Sequence, residues 1–243
     1  MARFFMAGTN IKGGTAIIRG RDAEHVRVLR LRPGEDLIIC DAQGTDYKCR
    51  LVSAEPDKVE AEVIEVVSCP AEPSVAVTVL CGLPKGDRSD YTVQKCVEAG
   101  AYEIGFFSCS RCVAKPENIE KKLERWQRIA EEAAKQSGRG IIPQVSWAGE
   151  YVEALNIANQ KELKIFLYET GEREGLDAVL EANKTAKTVA LITGPEGGFA
   201  PFEADLARIV GLHICSMGER ILRCETAPVV ATTAVMYATG NLS

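Results

Sequence analysis

A chain of 243 residues, 46% hydrophobic and 26% charged, is long enough to bury a sizeable core and has an ordinary globular composition. Its net charge of −5 gives no global basic signature, so any nucleic-acid contact must come from a local patch. No apolar run reaches the ~18 residues of a membrane span, and the start MARFFMAGTNIKGG is too polar after its short apolar part for a signal peptide, so a cytoplasmic protein is expected.

Residues 1 to 70 read as short strands and turns. Strand composition or alternation marks Thr15 to Arg19, Asp36 to Cys40, Tyr47 to Val52 and Lys58 to Val66. Asp41-Ala-Gln-Gly44 is a hairpin turn signal, and a short helix begins near Asp22. These predict a small β-barrel. Cys69-Pro-Ala-Glu-Pro-Ser74 reads as a linker. From 74 to 243 apolar strands alternate with helices. Strands are expected at Val75 to Cys81, Ile104 to Ser108, Lys164 to Tyr168, Thr188 to Thr193 and Leu212 to Ser216. Helices are expected at Asp87 to Gly100, Pro116 to Gln136, Trp147 to Ala158, Leu176 to Asn183, Pro201 to Val210 and Thr226 to Thr239. That alternation predicts an α/β domain whose parallel sheet is covered on both faces.

The nine cysteines are mostly single and set among apolar residues, and the only two histidines, His25 and His213, are far apart. Cys109 and Cys112 form a lone CxxC without the second pair a zinc site needs. Reduced thiols serving as small hydrophobes are expected, with no metal.

Ligands of parallel sheets bind beyond the carboxyl ends of the strands, and three exits here are unusual. One runs from Phe166 to Gly171, one is LITGPEGGFAPFE at 191–203, and one runs from Ile214 to Ala227. Gly194, Gly197 and Gly198 give close backbone approach, Pro195 stiffens the loop, and Pro201 suits a first helical turn. The P-loop lysine and any GxGxxG are missing, and Glu196 would repel an anion, so a neutral or cationic ligand fits better than a polyphosphate. Taken alone, this stretch would serve equally as a tight strand-to-helix connection. Ile221 and Leu222, set between Arg220 and Arg223 in the third exit, favour a site for a planar aromatic guest such as adenine.

GPEGGF, a helix, MGERILRCETA and a closing apolar helix together resemble the SPOUT methyltransferases. Within that class the chain is similar to the bacterial family that methylates N3 of a uridine in 16S ribosomal RNA. The likeness extends through His25 to Arg30, Lys85-Gly86-Asp87, Gln94-Lys95, Glu98 to Ala101, Ser110-Arg111, Arg125-Trp126, Glu132 to Arg139 and Ile142-Pro143. It implies a PUA-like RNA-binding barrel at 1–70 and a trefoil-knotted domain at 74–243, an exception to the no-knot rule. It also implies a homodimer, with S-adenosylmethionine as cofactor and 16S ribosomal RNA of the small subunit as partner. The cofactor pocket it implies is Leu167 and Glu169, then Thr193, Gly194, Pro195, Glu196, Gly197 and Gly198, then Ser216, Met217, Gly218, Ile221 and Leu222. Ala200 departs from the family's usual Ser or Thr, which should weaken the following helix start by about 1 kcal/mol.

The implied reaction needs N3 of uracil to lose a proton. Arg220 and Arg223 are candidates for stabilising the resulting anion or clamping phosphate. Glu225 is a candidate base or a partner that orients an arginine, and a carboxylate there would also suit the start of the last helix. The expected RNA-binding residues are Arg19, Arg21, Arg27, Arg30 and Arg32, with Arg111 and Arg139, and the target base must leave its stack. Similar loops would serve another base or a ribose 2′-hydroxyl, and a non-catalytic assembly factor would keep the fold. Intact Gly194 and Arg220 argue for the enzyme.

Overall fold

The computed structural model describes residues 1–6, 10–56 and 58–242, the Arg21 side chain excepted. Two compact units emerge, Met1–Glu72 with Ala134–Ile142, and Pro73–Ala133 with Pro143–Ser243.

The first unit holds β1 (Ala2–Phe5), β2 (Ile11–Lys12), β3 (Thr15–Ile18), α1 (Gly20–Val28), β4 (Asp36–Cys40), β5 (Thr45–Ala54) and β6 (Val59–Ser68). They form a six-stranded sheet ordered β1-β4-β5-β6-β3-β2, in which β1 runs parallel to β4 and the other pairs are antiparallel. Strand alternation turns Leu37 and Ile39, Cys49 and Leu51, and Val59 and Ala61 into one core with Phe4 and Val26. The 41–44 turn is closed by Asp41 Oδ1, which accepts from the amides of Gln43 (2.7 Å) and Thr45 (3.0 Å). β1 was not expected. Four residues carry too little periodicity to read, yet Phe4 is buried and Arg3 pairs with the buried Asp46 at 2.6 Å.

Segment 134–142 belongs to this unit, although the sequence groups it with the second. Arg139 is 3% exposed, and its Nε and Nη2 donate to Glu72 Oε1 and Oε2 at 2.9 Å. Glu72 Oε1 also accepts from the amides of Gly140 (2.7 Å) and Ile141 (3.0 Å). This corrects the RNA-binding expectation for Arg139. A guanidinium enclosed by the protein and satisfied by a carboxylate cannot reach a phosphate.

The second unit carries β7 (Ala76–Gly82), α2 (Arg88–Glu98), β8 (Glu103–Ser108), most of α3 (Ile119–Ser137), β9 (Gln144–Glu150), α4 (Tyr151–Ala158), β10 (Leu163–Leu167), β11 (Glu174–Gly175), α5 (Leu176–Ala182), β12 (Thr188–Thr193), α6 (Pro201–Ile209), β13 (His213–Ser216) and α7 (Ala227–Ala238). The seven strands are all parallel, in the order β11-β13-β10-β12-β7-β8-β9. β12 is central, and Val189 to Ile192 are wholly buried, as a continuous apolar run in a doubly covered strand should be.

Strands β9 and β11 were not expected, and at β9 a segment read as helix is strand. Residues 147–150 close a strand, β9, and the helix begins only at Tyr151. Gly149 takes a positive φ of 78° there, and Glu153 accepts from the Glu150 amide at 3.0 Å, which together start α4. Beneath the sheet's end, Phe199 packs on Phe166 at 4.3 Å and lies parallel to Phe107 at 6.4 Å.

Candidate functional site

The order β13-β10-β12-β7 sets the three unusual exits side by side at one end of the sheet. They enclose a cavity of about 450 Å³. Every residue expected to hold the cofactor lines it except Gly197, and Arg220, Arg223 and Glu225 line it as well.

The 194–200 loop is fixed by its own backbone. Gly198 takes φ +63° and donates its amide to Pro195 O at 2.9 Å. A Cβ on Gly194 would lie 3.2 Å from the Gly198 backbone, so the loop closes on itself. Gly197 turns away from the cavity. A Cβ there would lie 3.1 Å from Arg111, whose Nη1 donates to Gly197 O at 3.2 Å. Arg111 therefore braces this loop while remaining exposed. Beyond it the buried Phe199 pins the chain to the core.

Glu203, 1% exposed, holds the start of α6. Its Oε2 accepts from the Ala200 amide at 2.7 Å, and its Oε1 from the Ser110 amide at 2.9 Å. The reciprocal half of a capping box is missing, because Ala200 offers no side-chain acceptor. Ala200→Ser is expected to raise stability by about 0.5–1 kcal/mol, read as a higher urea midpoint at unchanged slope. A lower midpoint would show that the buried hydroxyl finds no donor.

The third wall is bare backbone. From Met217 to Leu222 no main-chain group makes a hydrogen bond among the described residues. Gly218 sits at φ +89° with nothing within 4 Å of its Cβ position. Ile221 is 84% exposed, an apolar side chain with no core to join. Thr193 Oγ1 is buried without a hydrogen bond of ordinary geometry, its neighbour being the weakly bonding Cys81 thiol. Free backbone donors and acceptors beside Leu167, Met217 and Leu222 fit a ligand with polar edges and apolar faces.

Glu196 does not act as a free negative charge. It accepts from the Lys85 amide at 2.8 Å and from Arg88 Nη1 at 2.7 Å. Arg88 Nε also lies 3.6 Å from Glu225 Oε2. Burial opposes ionisation of Glu225. Its own amide, the Cys224 thiol, Arg88 and Arg223 outweigh that and hold its carboxyl below the ordinary range. Such a group contributes stability above the ordinary carboxylate pKa and loses it as pH falls through the lower folded value. A carboxylate whose pKa is lowered is a weaker base than an ordinary one. Arg88 and Arg173 also line the cavity, and the sequence had not marked either. Arg173 donates to Glu169 O. The signal for Arg88 is topological, because β7 neighbours β12 and its exit must open at the same end.

Arg19, Arg27, Arg30 and Arg32 are exposed on the first unit, while the Arg21 side chain lies outside the described residues. All nine cysteines are free. Burial pushes the Cys40 and Cys49 thiols up to about 11 and Cys81, Cys215 and Cys224 to about 12, so they stay protonated. Cys109 and Cys112 stand with sulfurs 3.4 Å apart. Among the described residues no three His, Cys, Asp or Glu gather as metal ligands, and no helix is long and apolar enough to cross a membrane.

Residues 71–236 match the RNA methyltransferase domain, and residues 18–64 match the RNA methyltransferase PUA domain. The chain is 34% identical to the ribosomal RNA small subunit methyltransferase E of Bacillus subtilis, over 98% of this chain and 97% of that one. It superposes with a TM-score of 0.85 on the Neisseria gonorrhoeae ribosomal RNA small subunit methyltransferase E, solved with S-adenosylmethionine bound, at 31% identity over 98% of this chain and 97% of the other. A Legionella pneumophila chain solved with the same cofactor gives a TM-score of 0.80 at 26% identity, covering 97% of each. Glycine loop, bare third wall and flanking arginines thus sit in a chain that belongs to the ribosomal RNA small subunit methyltransferase E family.

Proposed function

We propose that this chain methylates N3 of a uridine in 16S ribosomal RNA, with S-adenosylmethionine as methyl donor. The observation that carries the reading is the cavity at the carboxyl ends of β10, β12 and β13, walled by Gly194 to Gly198 and by the unbonded 217–222 backbone. The donor named for the Neisseria and Legionella relatives suits that wall, since adenine needs backbone partners at its edge and apolar contact on its faces. Bound there, it supplies an electrophilic methyl group. The choice of N3 of uridine rests on the motif resemblance to the family.

The remaining work falls to side chains. Arg220 and Arg223 line the cavity, and neither has an ion-pair partner within 4.0 Å among the described residues. Both can meet the negative charge that uracil gains when N3 loses its proton, or hold the flanking phosphate. Glu225, a weaker base than an ordinary carboxylate, is assigned to holding Arg88. Arg19, Arg21, Arg27, Arg30, Arg32 and Arg111 are assigned to phosphate contacts, which strengthen binding without reading sequence. We also infer the family's homodimer and knotted path, a barrel-like RNA-binding domain at 1–70, a catalytic domain at 74–243, and a cytoplasmic setting where ribosomal RNA is found.

The test uses purified protein, unmodified small ribosomal subunits and methyl-labelled S-adenosylmethionine, followed by nucleoside analysis. Label in 3-methyluridine is expected. Label in another nucleoside would discard the target and keep the enzyme. No label, with no cofactor binding by calorimetry, would leave a non-catalytic RNA-binding protein.

A further inference from the structure

A second space, an open and shallow depression of about 610 Å³, lies against the first. Arg88 and Glu225 line both, so the two share a wall. Tyr91, from α2, forms part of the second. It is 47% exposed, and among the described residues its ring has no aromatic partner and its hydroxyl no hydrogen bond. Arg88 is held at the border. Its Nη1 donates to Lys85 O at 3.0 Å and to Glu196 Oε1 at 2.7 Å, and its Nε faces Glu225. Its Nη2 makes no hydrogen bond among the described residues, which leaves two N–H donors on a guanidinium held by a network already in place.

We propose that this depression receives the extruded target base, with Tyr91 as its stacking platform and Arg88 Nη2 as donor to a base carbonyl. The proposal rests on the methyltransferase reading above. Three features single out the base. A methyl acceptor must open onto the cofactor's cavity, and this space does. An exposed aromatic ring is the usual support for an unstacked base. Asp87 and Glu225 in the wall offset Lys85 and Arg88, so the space has no excess of positive charge to select a phosphate and suits a neutral uracil. Arg88 then stands where charge grows on the uracil oxygens as N3 deprotonates, and Glu196 ties it to the cofactor loop.

The experiment compares wild type, Tyr91→Ala and Tyr91→Phe for 3-methyluridine formation in unmodified small subunits. Cofactor affinity is measured by calorimetry and mass by sedimentation. Y91A is expected to lose about 10- to 100-fold in kcat/KM, mostly through KM, with cofactor affinity and oligomeric state unchanged. Y91F, which keeps the ring, is expected to stay within about threefold of wild type on the same stacking argument. Arg88→Gln is expected to move the pH–rate profile to higher pH, because the bound base then ionises less readily. Unimpaired Y91A beside an active wild type overturns this proposal alone. So does loss of cofactor binding in Y91A, or dissociation of a dimer, which would make Tyr91 a contact to a second copy. A wild type that leaves uridine unmethylated overturns both readings.

Discussion

A Gly82→Ala variant is expected to lose cofactor affinity by about 100-fold while the chain stays folded. Gly82 ends β7, beside the loop that β12 feeds. A Cβ there would sit 2.6 Å from Pro195 Cδ and 2.9 Å from Pro195 N. Neither atom is the tip of a flexible chain. The proline ring is rigid and its nitrogen belongs to the backbone, so relief requires moving the loop itself. A shift approaching 1 Å misplaces the main-chain groups of Gly194 to Gly198, and losing two hydrogen bonds of about 1.4 kcal/mol each costs about 100-fold in affinity. The overpacking adds a stability loss of about 1–3 kcal/mol. Calorimetric titration with S-adenosylmethionine reads the first effect and urea denaturation the second. Gly105→Ala is the control. Its Cβ would meet Leu80 Cδ2 at 2.8 Å, a side-chain end that can rotate, so stability falls and cofactor affinity holds. Wild-type affinity in Gly82→Ala would show that the loop adapts and that its observed shape is not what binds.

Gly82 illustrates what the sequence could and could not disclose. The Gly194 to Gly198 loop stood out because glycine and proline are dense there, the two exits beside it followed from the general geometry of parallel sheets, and the family resemblance named Leu167 and Met217 within them. Gly82 and Arg88 have no local signature. Their importance depends on β7 lying beside β12, and a strand order of β10-β12-β7 is not written in either strand. Glu196 was misjudged for a related reason, since its compensating Arg88 lies 108 positions away. Elements followed the same rule. β12 was readable as an unbroken apolar run, whereas β1 has four residues, and β9 contains a Trp147-Ala148 pair that suits a helix equally well. Arg139 looked like part of a basic segment because its partner, Glu72, lies 67 residues earlier.

Glu72→Ala is accordingly expected to destabilise the first unit by about 3–5 kcal/mol, the usual cost of removing one member of a buried ion pair. The Glu72 and Arg139 side chains are 15% and 3% exposed, so solvent screens this pair little. The change would leave the buried guanidinium without its bidentate carboxylate and the amides of Gly140 and Ile141 without their acceptor. Glu72→Gln keeps an oxygen for those amides and should lose less. Circular dichroism in urea measures both. Arg139 then separates structure from RNA contact. Substituting an exposed arginine that we assign to phosphate, such as Arg27, should reduce the slope of log affinity against log salt by about 1. Arg139→Gln should destabilise the unit yet, under conditions where it remains folded, leave that slope unchanged, because a charge already neutralised inside the protein releases no counterion from RNA. A slope that falls with Arg139→Gln would return this residue to the RNA surface and make its pairing with Glu72 incidental.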